Sequence, residues 1–109
     1  MAILVSLLLG GCKKIDVPAG TPYCIKKKIR KIKREEVRNP PAKIWEYKYN
    51  GETVYYFPPY CCDIESELYD KKCNSICQPD GGLSGAGDGK CTDFFQNRTD
   101  EKLIWEDER

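Results

Sequence analysis

The sequence predicts a small α+β domain: one helix packed on a small antiparallel sheet, with a disulfide-rich C-terminal half. Three observations predict it. Ile25, Ile29 and Ile32 recur at helical spacing behind Thr21-Pro22. Asn50-Gly51 separates two aromatic-dense runs, a strong two-residue hairpin signal. Cys24, Cys61, Cys62, Cys73, Cys77 and Cys91 fall within a chain of 109 residues. A chain of that length forms one domain, burying only about 60–65% of its unfolded surface, and cross-links compensate for the thin core.

The first element is not part of that fold. Ala2 to Leu9 is an apolar run, too short for the roughly 20 residues that span a bilayer as a helix. Its length fits the apolar region of a signal peptide. The run ends in Leu9-Gly10-Gly11-Cys12, which resembles the bacterial lipobox. The resemblance implies cleavage before Cys12, acylation of Cys12 (palmitate among its chains), and a lipid-anchored protein of the cell envelope. Lys13 stands where an aspartate would favour inner-membrane retention, so the resemblance points to the outer membrane. The expected organisation is a signal peptide over 1–11, a lipid-anchored tether over 12–20 and one cysteine-rich α+β domain over 21–109.

The helix follows the tether. Thr21 is expected to cap its free amides, and Pro22 suits the first helical position. It should end before Asn39-Pro40-Pro41. Apart from its isoleucine stripe it is basic. Lys13 to Arg38 holds ten basic and three acidic residues, and Asn39 to Arg109 eight basic and fourteen acidic, although the whole chain is only +1. Such polarity fits either a solvated face pairing with the acidic half, or contact with anionic lipid or polysaccharide beside the anchor. A near-neutral total argues against nucleic acid as a partner.

Lys43 to Phe57 is the hairpin. Pairing across Asn50-Gly51 sets Tyr49 against Glu52, Tyr47 against Val54 and Trp45 against Tyr56. Trp45, Tyr47, Tyr49, Val54 and Tyr56 then share one face, expected to pack on Ile25, Ile29 and Ile32. Asp63 to Asp70 is expected to form one or two helical turns with Asp63 as cap. Lys102 to Trp105 reads as a third strand or docking segment, and the last four residues as frayed.

The six cysteines beyond Cys12 imply three disulfides in an exported domain. Spacing leaves their pairing open, except that a bond between neighbours Cys61 and Cys62 would strain the peptide between them. A zinc knot is the rival, but the paired Cys-x-x-Cys spacing is missing.

The most unusual stretch is the glycine-rich loop containing Asp80, Gly81, Gly82, Gly85, Gly87, Asp88, Gly89 and Lys90. Its rival readings are a protein-binding or inhibitory loop held between disulfides, a calcium site using Asp80, Asp88 and Asp93, and a plain series of turns. The spacing around Gly89-Lys90 does not make a P-loop. The chain has no histidine, so histidine-based catalysis and zinc sites are excluded. No nucleophile has an evident base, and no catalytic residue is expected. The expected protein is a binding or structural module rather than an enzyme, with no cofactor unless calcium. Its expected partners are the membrane, and an envelope protein or anionic polysaccharide.

The run Tyr55 to Asp63, with Ser66 to Asp70, Cys73-Asn74, Ile76-Cys77, Pro79 to Gly82, Gly87 to Cys91 and Asp93-Phe94, resembles an uncharacterised cysteine-rich domain of small bacterial lipoproteins. The resemblance spans about residues 22 to 107. It implies an exported, lipid-anchored protein and assigns no site.

Overall fold

The computed structural model describes residues 15–61 and 63–109. The signal peptide expected over 1–11, the lipid-bearing Cys12 and the disulfide expected of Cys62 lie outside the described residues. Helix α1 spans Tyr23–Arg34. Five strands follow: β1 Lys43–Tyr49, β2 Glu52–Phe57, β3 Glu67–Asp70, β4 Ser75–Cys77 and β5 Thr99–Glu106. A short helix, α2 Phe94–Asn97, precedes β5. The strands form one antiparallel sheet in the order β4-β3-β2-β1-β5.

The hairpin register is the one expected: Trp45 opposes Tyr56, Tyr47 opposes Val54 and Tyr49 opposes Glu52. Asn50 and Gly51 both take positive φ, as a tight turn matching strand twist requires.

The helix lies on the other face of this hairpin from the one expected. Ile25, Ile29 and Ile32 pack with Ile44, Tyr55, Ile104 and Trp105, joined by half-buried Phe57 and Tyr69. Tyr47, Tyr49, Val54 and Tyr56 are buried instead against Leu68, Cys77, Cys91 and Phe94. Both faces of the hairpin carry large apolar side chains, so alternation alone did not distinguish them. Phe94 is the centre of the second cluster. Its ring is fully buried, 5.5 Å from that of Tyr47 and 5.2 Å from that of Tyr49, both edge-on.

Three further expectations are corrected. Glu67–Asp70 is strand β3, not a helical turn, because pairing with β2 sends Leu68 into the second cluster and Tyr69 into the first. Thr21 does not cap α1: its hydroxyl donates to the Pro18 carbonyl at 2.7 Å, and Pro22 is the capping residue. The C-terminal end is not frayed. Asp107 is 3% exposed, its amide donates to the Ala42 carbonyl, and its carboxylate holds the Arg109 guanidinium at 2.7 Å. Arg109 in turn donates to the carbonyls of Lys33 and Glu35 at the end of α1, and to that of Ile32, which also accepts from the Glu35 amide.

β5 carries a bulge that the packing uses. Ile44 pairs with Trp105 and Trp45 with Leu103, leaving Ile104 as the extra residue. Consecutive residues Ile104 and Trp105 are thereby both buried in the first cluster.

Two disulfides join described residues, Cys24 to Cys73 and Cys77 to Cys91. The first ties α1 to the segment between β3 and β4, and the second closes the glycine-rich loop. Cys61 is disulfide-bonded as well.

Candidate functional site

The glycine-rich loop leaves the end of β4 and returns at Cys91. Its roots are fixed covalently, since the Cys77–Cys91 bond spans a separation of 14 residues. Both cysteines are buried in the second cluster, on the face of the sheet opposite α1.

Within those roots the chain is tightly hydrogen-bonded to itself. The Asp88 amide donates to the Gln78 carbonyl and the Gln78 amide to Asp88 Oδ2, at 2.9 and 3.1 Å. Asp88 Oδ1 also accepts from the Lys90 amide at 3.0 Å. The Gly87 amide donates to Gly81, that of Gly81 to Gly85, and that of Gly85 to Gly82. A second layer fixes the loop to the sheet. The Gly82 amide donates to the Ile64 carbonyl, and Ser66, 1% exposed, exchanges bonds with the backbone of Asp80.

Two glycines are required sterically. Gly87 has φ +68°, and a Cβ there would run into the Gln78 carbonyl oxygen. Gly81 has φ +86°, and its Cβ would stand 2.8 Å from the Ile64 carbonyl oxygen. At these points the loop crosses its own backbone closely, which is the use of glycine that needs no side chain.

The tip is different in character. Leu83 follows the Gly82 carbonyl that accepts from Gly85, so it sits at the second position of a turn. It is 91% exposed, a large apolar side chain held out on a hydrogen-bonded turn. Ser84 steadies the turn by accepting from the Ala86 amide at 3.1 Å. Lys90 is exposed beside the return to Cys91.

The three aspartates read as a calcium set are each held by internal donors. Asp80 Oδ1 accepts from the Tyr56 hydroxyl at 2.7 Å. Asp88 serves the loop amides described above. Asp93 accepts from the Tyr49 hydroxyl at 2.6 Å and from the Asn97 amide group at 2.8 Å. Among the described residues, no group of three or more His, Cys, Asp or Glu stands together as ligands for a metal ion. The Tyr49 bond holds the Asp93 carboxyl below its ordinary range, and the same bond raises the phenol. Burial, and then the bond to Asp80, pushes the Tyr56 phenol far above its ordinary value.

Sequence reasoning named the glycines and aspartates of this loop. It missed Leu83, although an isolated leucine within a glycine and serine run was a legible signal. It also missed Tyr56, Ser66 and Gln78 as the groups that fix the loop, because their proximity exists only once β2, β3 and β4 are aligned. Glu65 and Glu67 take structural roles: Glu65 bridges to Gly81, and Glu67 accepts from the Gln78 side chain at 2.9 Å.

A family model described as a domain of unknown function (DUF6970) matches residues 30–107. The match takes in the whole sheet and the closed loop, and begins within α1. No curated protein and no solved structure matches the chain.

Proposed function

The chain belongs to this family of domains of unknown function, and from its own residues we propose that it is an exported, lipid-anchored binding module of the bacterial cell envelope. In this reading Cys12 carries the lipid, and the loop from Asp80 to Lys90 recognises a protein partner. The observation that carries the recognition reading is Leu83: a 91%-exposed leucine at the tip of a loop closed by a disulfide and braced by its own amides. An apolar side chain preorganised in this way loses little conformational freedom on binding, which is how inhibitory loops gain affinity. The apolar run ending at Cys12 supports export, and structural disulfides persist in oxidising compartments. The absence of histidine favours binding over catalysis.

The test is capture from an envelope extract by the oxidised chain carrying Cys12→Ser, with a Leu83→Asp chain in parallel, each with calcium or chelator. The expected result is a partner retained by the first, lost by the second, and indifferent to calcium. Equal capture by both chains, or none by either, overturns the loop reading. Capture that requires calcium and disappears in Asp88→Ala replaces it with a metal-organised loop. The anchor is tested separately: Cys12→Ser should abolish palmitate labelling and release the protein from membranes, and unchanged retention refutes it.

A further inference from the structure

We infer that the outward face of α1 is the protein's contact with an anionic lipid bilayer. Ile25, Ile29 and Ile32 turn one side of the helix into the core, so the opposite side faces solvent. Tyr23, Lys27, Lys31 and Arg34 are exposed there, with Lys26 half-buried at the flank. The twelve residues of the helix include seven basic and no acidic side chains. The acidic half of the chain does not cancel this stripe through the ion pairs that the outward residues make. Lys31 pairs with Glu35, which belongs to the same basic segment, and Arg38 turns to Glu35 too. Lys27 and Arg34 make no ion pair among the described residues.

Tyr23 favours a bilayer over a soluble polyanion. It is 68% exposed at the start of the same face, and an aromatic ring with a polar tip beside a basic stripe suits the headgroup region. The course of the chain adds a second reason. Ile15 and Val17 pack against the cluster that holds α1, and Ile15 lines a cavity together with Lys33. Only Lys13 and Lys14 separate Ile15 from Cys12. Three residue steps reach at most about 10 Å. A lipid on Cys12 would thus hold this side of the domain within about one Debye length of the headgroups, where basic residues are attracted. The leash depends on the anchor proposed above; the charge pattern does not. Cys77 and Cys91, the roots of the recognition loop, belong to the cluster on the other face. The sheet would then stand between the bilayer contact and those roots.

The experiment uses the full chain carrying Cys12→Ser, so that no acyl chain contributes. It is sedimented with vesicles of phosphatidylcholine, and of phosphatidylcholine mixed with phosphatidylglycerol, at low and high salt. The anionic vesicles should hold it more strongly than the neutral ones, and salt should remove the difference. Adding Lys27→Gln and Arg34→Gln, two exposed changes checked for an unaltered circular dichroism spectrum, should weaken the anionic binding roughly thirty-fold. Equal binding to both vesicles, or anionic binding that the double change leaves intact, overturns the inference. Retention on an anionic polysaccharide without retention on anionic vesicles overturns it in favour of that polymer. Failure of the anchor would appear elsewhere, as a wild-type chain without acyl label on Cys12.

Discussion

The phenol of Tyr56, on the central strand of the sheet, donates a 2.7 Å hydrogen bond to Oδ1 of Asp80, the first residue of the glycine-rich loop. It couples the middle of the sheet to the segment that presents Leu83. Tyr56→Phe removes that donor and little else. A hydrogen bond to a charged group contributes about 1.5–3 kcal/mol, so the variant should lose that much stability. Amide exchange should accelerate first at Gly81, Gly82 and Gly87. Unchanged protection in the loop would show that Tyr56 does not brace it.

Gly87 and Gly85 provide a controlled comparison. Both have positive φ, but an added Cβ meets nothing within 4 Å at Gly85 and collides with the Gln78 carbonyl at Gly87. Gly85→Ala should cost about 1–2 kcal/mol, the left-handed backbone term alone. Gly87→Ala should cost clearly more, because the backbone of Gln78 cannot yield as a flexible side chain would. Equal urea midpoints for the two variants would contradict the close crossing.

The two disulfides between described residues enclose loops of different length. Separations of 49 residues for Cys24–Cys73 and 14 for Cys77–Cys91 predict losses of about 4 and about 3 kcal/mol when each is replaced by a serine pair. Leu83-dependent capture should suffer only from the second replacement. Denaturant curves and the capture assay together check this, and loss of capture on breaking Cys24–Cys73 in a folded chain would contradict it.

Arg109, held by its neighbour Asp107, caps the end of α1, 74–77 residues earlier in the chain. Arg109→Ala removes the donor to three helix-end carbonyls and leaves the buried Asp107 carboxylate without its cation, so a lower urea midpoint is expected. Adding Asp107→Asn should recover part of the difference, since no uncompensated charge then remains buried. The hydrogen bond from Arg109 holds the Asp107 carboxyl below its ordinary range. Its contribution is therefore present above the unfolded-state carboxylate pKa and lost as pH falls through the folded one. A wild-type acid transition identical to that of Arg109→Ala would refute the coupling.

Alkaline pH should destabilise the fold. Burial, with the bond to Glu101, pushes the Tyr47 phenol up to about 12, and Tyr56 moves in the same direction. Groups with raised pKa stabilise fully below the unfolded value, here about 10, and lose that contribution as pH rises through the folded one. Urea midpoints should fall above about pH 10, and part of the tyrosinate absorbance should appear only as the chain unfolds. Titration of every tyrosine near pH 10 in the folded protein would contradict this.

The sequence by itself determined the elements whose cause is local. Asn50-Gly51 set the hairpin and its register, because a tight turn fixes which residues oppose one another. The isoleucine spacing determined α1 and its buried stripe, and the glycine run marked the loop. Tertiary structure alone decided which face of the sheet α1 covers, because Tyr55 and Phe57 make the second face as apolar as the first. It made a strand of Glu67–Asp70, since four residues carry too little periodicity to outweigh a pairing partner. It also brought Arg109 to the end of α1, Tyr56 to Asp80, and Ser66 to the base of the loop. Those contacts join residues far apart in the chain, so their hydrogen bonds exist only after the sheet has set the distances.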